Sequence, residues 1–112
     1  MEHLPMLTVR SGALLVAINA YRFLPGAVHF SQGVIELEQQ GRLFAALHLT
    51  HHLQGDWGVV DDAMRKHNDV ALHEHGRLVS RYDIAGGRHL CIVTEADRSA
   101  TSLRLDDEPV LP

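Results

Sequence analysis

The chain has a single cysteine, Cys91. No intramolecular disulfide can form, and a reducing, cytoplasmic home is expected. Cys91 lies in the apolar run LCIV and reads as a reduced core residue, because a nucleophilic thiol needs a nearby base and some exposure. Long hydrophobic runs are also missing. ALLVAINA, residues 13–20, falls short of the about 20 residues a bilayer span takes. It follows only Arg10 and has no small-x-small cleavage site, so it reads as neither signal peptide nor anchor, and no membrane partner is expected. The glycine-rich loops that cradle nucleotide phosphates are absent, as are the G-x-S-x-G elbow and the cysteine spacing of a zinc finger.

Positive charge is in short supply. Ten Lys and Arg stand against 14 Asp and Glu, a net charge of -4. Nonspecific binding to nucleic acid needs a basic face, so direct nucleic-acid binding is not expected. A local basic patch could still come from Arg77, Arg81 and Arg88, which lie close in sequence. What the chain does have suits one folded domain: 112 residues, 46% of them apolar and 21% charged.

Residues 1–22 read as an N-terminal extension, either strand-turn-strand or a buried helix, with the first favoured. The domain proper is expected over 23–107, followed by a frayed acidic tail over 108–112. Residues 28–31 form a short strand. Ser31 is a good N-cap for a helix that places Val34 and Leu37 on one face, with Ile35 as a further candidate for it, and stops at Gly41. The next segment has Leu43, Ala46, Leu47, Leu49 or Thr50, and Leu53 at helical spacing, and Gly55 stops it. Asp61 and Asp62 open a third helix with Ala63, Met64, Val70 and Ala71 as inner residues, ended by Gly76. After that the period changes to two. RLVSRYDI, RHLCIVTEA and SATSLRLD read as three strands joined by turns at Gly86-Gly87 and at 96–98. The expected fold is α+β, with helices on one face of a three-stranded antiparallel meander.

Three motifs carry the candidate chemistry. In HLTHH, His48 and His52 share a helix face. That spacing can bind zinc, but the residue after His48 is Leu49, where H-E-x-x-H enzymes have their base. His52 is therefore read as a site residue, and neither a metal nor a cofactor is expected. In GDWG, Asp56 is placed to cap the next helix or to hold a histidine. Trp57, the only tryptophan, reads either as an anchor with a bonded indole N–H or as the wall of a binding pocket. In TEADRS, Thr94, Glu95, Asp97, Arg98 and Ser99 crowd one hairpin end. One reading has Asp97 hold its own turn; the alternative is a cluster that meets His52 and Asp56 across the fold and does acid–base work or holds an anion.

These segments together resemble a family of small proteins from plasmids and integrative elements, labelled only "plasmid-related protein". The resemblance covers residues 23–107. It rests on Ser31 and Gly33; on His52, Gly55, Asp56, Trp57 and Gly58; on Asn68 and Ala71-Leu72; on GRLVSRY (76–82); and on IVTEADRSAT (92–101). The family pattern has proline where this chain has Gln32. The resemblance implies a mobile-element setting but no chemistry. It does imply shared polar positions, His52, Asp56, Asn68, Ser80, Tyr82, Glu95, Asp97 and Arg98, as a candidate surface together with Trp57.

The expected function is a small acidic accessory protein that binds another protein, with a host-defence complex as a partner in the manner of anti-CRISPR proteins. The alternative is a small hydrolase or transferase using His52/Asp56 and Glu95/Asp97/Arg98. A DNA-binding regulator ranks last, because its second helix would carry Asp61, Asp62 and Asp69 towards phosphates. A homodimer through open sheet edges is a further expectation.

Overall fold

The computed structural model describes residues 6–11 and 14–108. They form β1 (Leu7–Ser11), β2 (Leu14–Ile18), β3 (Ala27–Phe30), α1 (Gln32–Gln39), α2 (Ala45–Leu53) and α3 (Asp62–Glu74). These are followed by β4 (Leu78–Ile84), a 3-10 turn (Ala85–Gly87), β5 (Arg88–Thr94) and β6 (Ala100–Leu105). The class is α+β, as expected.

The main sheet differs from the expectation. It has four strands in the order β3-β6-β5-β4. The β4–β5 and β5–β6 pairs are antiparallel, but β3 lies parallel to β6, from Ala27↔Ala100 to Phe30↔Leu103. Periodicity marks β3 as a strand without naming its neighbour. A parallel pair needs a long crossover, and here that crossover is everything between β3 and β6.

Register explains the core. Leu78↔Thr94, Ser80↔Ile92 and Tyr82↔Leu90 are cross-strand partners, as are Thr94↔Thr101, Ile92↔Leu103 and Leu90↔Leu105. All of these residues are buried, so period two directs one whole face of the sheet inward. Val34, Leu37, Ala45, Leu49, Leu53 and Ala71 from the helices complete the core with Phe23 and Trp57.

Residues 7–18 form an antiparallel pair, Leu7↔Ile18 to Ser11↔Leu14; its turn at 12–13 lies outside the described residues. Val9 and Ile18 join the core. The Arg22 N–H donates to Leu53 O (2.8 Å), and Gln54 Nε2 donates to Asn19 O (3.0 Å). The stretch read as an extension is therefore fastened to the end of α2. At the other end, the Glu108 carboxylate accepts from Ser31 Oγ (2.6 Å), the Leu105 N–H (2.7 Å) and the Gly33 N–H (3.0 Å). Glu108, placed in the tail by composition, is thus bound to the first turn of α1. Residues 109–112 lie outside the described residues.

The helices start where their caps predict. Ser31 Oγ accepts from the Val34 N–H (3.2 Å), and Asp61 Oδ1 from the Met64 N–H (2.8 Å). Four inward assignments change. Ile35, Leu47 and Val70 are exposed, and so is Ala63. The buried stripe of α3 is Asn68 and Ala71. Hydropathy cannot find it, because a polar side chain is the one that goes in. The last turn of α3 also differs: His75, not Gly76, takes the left-handed conformation (φ 57°). Gly76 is needed for a different reason, since a Cβ there would lie 2.7 Å from the Ala71 methyl.

Asn68 is buried because it completes the sheet. Its Nδ2 donates to Val79 O (2.8 Å) and its Oδ1 accepts from the Val79 N–H (3.1 Å). Next along β4, the Arg81 N–H donates to Trp57 O (3.0 Å) and Arg81 O accepts from the Val59 N–H (2.6 Å). The β4 edge, expected to be open for pairing, is covered at Val79 and Arg81. Unpaired edge groups would otherwise invite another chain.

Candidate functional site

The sequence-marked polar residues lead first to a buried chain of hydrogen bonds. The last turn of α2 points His52 at the inner face of the sheet. His52 Nδ1 lies 2.5 Å from Ser80 Oγ on β4, and Nε2 lies 2.9 Å from Thr94 Oγ1 on β5. Thr94 Oγ1 is 2.7 Å from Thr101 Oγ1 on β6, which in turn donates to Pro25 O (2.7 Å). The final carbonyl sets the direction of every proton. Thr101 spends its hydrogen on Pro25, so it accepts from Thr94. Thr94 must then accept from His52 Nε2–H. Nδ1 is left as the acceptor, and Ser80 donates to it.

His52, Ser80, Thr94 and Thr101 each have 0% exposure. The imidazole meets Phe23 edge-on (5.3 Å between centroids) and Trp57 in the same manner (5.7 Å). Burial, and then the nearby Arg98 charge, pushes the His52 pKa down to about 3. The ring is therefore neutral at physiological pH, as the proton assignment requires. Among the described residues no buried side-chain polar atom lacks a partner, as a well-ordered polar interior demands. Both ring nitrogens are used, so His52 has no lone pair to offer a metal. No cluster of His, Cys, Asp or Glu among the described residues is arranged to hold one.

Asp56 and Tyr82 meet next to this chain. The Tyr82 hydroxyl donates to the Asp56 carbonyl oxygen. Burial pushes the phenol well above its usual range, and the Asp56 charge adds to it. The Asp56 carboxylate accepts from the Gly58 N–H (3.2 Å) and pairs with His51 Nδ1 (3.3 Å). His48 packs on the Tyr82 ring (5.2 Å), and burial and then His51 lower its pKa. His51 and His48 are thus the residues that line the outside of this corner, and His51 was absent from the expected set.

Trp57 is an anchor. It is buried, its Nε1–H donates to Asp69 Oδ1 (3.2 Å), and its ring stacks on Phe23 (6.3 Å). Gly58 is held tightly behind it. A Cβ there would lie 2.1 Å from Arg81 O, at a φ of +75°.

The TEADRS turn does not deliver its carboxylates to His52. Asp97 accepts from the Ser99 N–H (3.0 Å), and the Ser99 hydroxyl, followed by this backbone bond, lowers its pKa. Glu95 pairs with Arg77 (3.7 Å) in solvent. Arg98 turns inward instead. Its Nη1 donates to Gly76 O (2.6 Å) and its Nη2 to Ala71 O (3.0 Å), and its Cζ stands 5.6 Å from the Phe23 ring centroid. A cation on the last carbonyls of α3 suits the helix dipole. Its donors are occupied by protein carbonyls, so Arg98 joins the helix to the hairpin. Of the nine expected positions, the fold brings His52, Trp57 and Ser80 together, with Asp56 and Tyr82 adjoining. Asn68 sits at the β4 edge, and Glu95 and Asp97 face solvent.

Thr101 was missed as a partner, and Thr94 was grouped with the turn. The signal was present: in LCIVT and ATSLRL, period two puts both threonines in phase with buried leucine and isoleucine. Cys91 departs from its core reading. It is half-buried between its cross-strand neighbours Arg81 and Arg104, and burial pushes its thiol up, with Asp106 adding to that and the two arginines opposing it. The three arginines of the possible basic patch are each paired, Arg77 with Glu95, Arg81 with Asp106 (2.8 Å) and Arg88 with Asp107 (2.9 Å). No protein-family model, curated protein or solved structure matches this chain. No helix among the described residues is long and apolar enough to cross a membrane.

Proposed function

We propose that this chain is a binding protein that acts on another protein through the outer face of α2. The observation that carries this reading is where the polar residues go. His52, Ser80, Asn68 and Arg98 are spent on bonds inside the fold, and a catalyst needs groups a substrate can reach. Meanwhile apolar side chains face out. Phe44 is 49% exposed and Leu47 50% exposed, one turn apart and next to the His48–Tyr82 corner. Exposed apolar groups rimmed by polar ones favour protein contacts. The paired arginines leave no concentrated positive charge for nucleic acid.

In the mobile-element setting that the resemblance implies, the partner we propose is a host-defence complex, whose basic channels suit an acidic ligand. The alternative of a hydrolase or transferase at His52/Asp56 and Glu95/Asp97/Arg98 has no geometric support, since the two turns do not share a site. The test is a pull-down with the wild type beside a folded Phe44→Ala, Leu47→Asp variant. A stoichiometric partner held by the wild type and lost by the variant is expected. A wild type that captures nothing, or a variant that binds equally well, overturns the α2 surface. Full activity of a defence complex at saturating protein excludes that complex as the target.

A further inference from the structure

The sequence marks Ala63 and Val70 as one apolar stripe of α3, and the fold leaves that stripe outside. Val70 is 56% exposed, and Ala63 is exposed as well. The two residues are seven apart, about two turns, and share a face diametrically opposite the buried Asn68. Lys66 and Glu74 lie one turn before and one turn after Val70. Among the described residues neither has a hydrogen bond or an ion pair. An open groove of about 470 Å³ runs beside the stripe, with Ala63, Lys66, Val70, Glu74 and Gly76 in its walls.

We infer that α3 is a self-association surface, on which two copies of the chain pair their α3 helices antiparallel about a two-fold axis at Val70. The charge pattern selects a second copy over an unrelated partner. In such a pair, a residue a given number of places before Val70 faces the residue the same number of places after it on the other copy. Lys66 then meets the partner's Glu74, and Glu74 meets the partner's Lys66. A two-fold contact has to be self-complementary in this way. Val70 packs on the partner's Val70, and the small side chain at Ala63 lets a helix approach closely. The sheet offers less. The β4 edge is covered by Asn68 and by 57–59, and β3 is only four residues long.

The contact is modest. A helix of 13 residues is about 20 Å long, and two of them bury less than the roughly 1,200 Å² of a stable interface. A contact this small belongs with weak, transient ones, whose affinities lie roughly in the micromolar to millimolar range.

The experiment is sedimentation equilibrium of the full chain from about 10 µM to about 1 mM, which covers much of that range. The wild type is expected to move from monomer towards dimer. Lys66→Glu and Glu74→Lys each replace two attractive contacts with two repulsive ones and weaken association roughly tenfold. Both positions are on the surface, and circular dichroism checks that the variants fold. An equimolar mixture of the two variants restores opposite charges at both contacts, so it regains the association that each has lost alone. A wild type that stays monomeric throughout, a dimer indifferent to both reversals, or a mixture that fails to recover overturns the proposal. None of these results depends on the α2 surface or its partner.

Discussion

Ser80 donates its hydroxyl proton to His52 Nδ1, across 2.5 Å. The carbonyl of Pro25 dictates this from the far end of the chain, through Thr101 and Thr94. The imidazole is thereby fixed as the Nε2–H tautomer. Nitrogen-15 NMR of the ring is expected to show Nδ1 unprotonated and Nε2 protonated at neutral pH. The opposite tautomer would leave the Thr94–Thr101 contact without a proton, and so would overturn this assignment.

Thr101→Val keeps the shape of the side chain and removes both of its hydrogen bonds. Thr94 and the Pro25 carbonyl then lose a buried partner. The expected cost is about 1–3 kcal/mol, read as a lower midpoint in urea. A variant as stable as the wild type would mean that the chain is not continuous.

Acid should weaken the fold through His52. Unfolded, His52 takes up a proton near pH 6.5; folded, only near pH 3. Between these values the unfolded state binds more protons. Stability is therefore complete above about pH 6.5 and falls as the pH falls, by up to about 1.4 kcal/mol per unit. His48, with a pKa lowered by burial and by His51, adds to the slope with the same sign. Urea titrations at about pH 7.5 and pH 5 bracket the effect. The His52→Gln variant should be less stable at neutral pH and should show a flatter pH dependence. An unchanged slope in that variant would assign the acid sensitivity to other groups.

Two glycines with similar backbone angles should respond differently to alanine. Gly58 (φ +75°) would put its new Cβ 2.1 Å from Arg81 O and 2.7 Å from the Tyr82 ring, whereas Gly86 (φ +79°) faces open space. Gly86→Ala carries only the left-handed penalty, about 1–2 kcal/mol. Gly58→Ala adds a backbone collision and the loss of the Arg81 pairing, so about 3 kcal/mol or more is expected. Thermal denaturation of both variants makes the comparison, and equal losses would remove the close approach as the reason for GDWG.

Arg98 and Asp97 are adjacent in sequence but unequal in role. Arg98→Lys keeps the charge and loses the planar fork that reaches both Ala71 O and Gly76 O, a loss of about 1–2 kcal/mol. Asp97→Ala removes a solvent-facing turn bond and should change stability far less than Arg98→Lys does. Equal effects in denaturant titrations would contradict the cap on α3.

Much of the fold was legible in particular residues. Ser31 and Asp61 announced their helices because an oxygen at an N-cap satisfies a backbone N–H wherever the helix lies. The β4–β5–β6 run was visible because period two turns one face inward in any sheet. The candidate site was legible only as residue types. His52 and Ser80 are 28 positions apart, and no spacing rule links them. Asp97 and Arg98 looked like one cluster, yet the left-handed turn at Arg98 (φ 60°) sends one towards solvent and the other onto α3.

By itself the sequence determined what depends on neighbours along the chain: the caps, the glycine stops, the alternation of the strands and the class of the fold. Tertiary structure decided what depends on partners far away. It placed β3 parallel to β6, turned Asn68 inward and Val70 outward, and drew His52 into a closed set of hydrogen bonds. The physical reason is that a buried polar group is tolerable only when bonded. Asn68 and His52 could be buried because Val79, Ser80 and Thr94 were there to meet them, and only the folded chain brings those partners within reach.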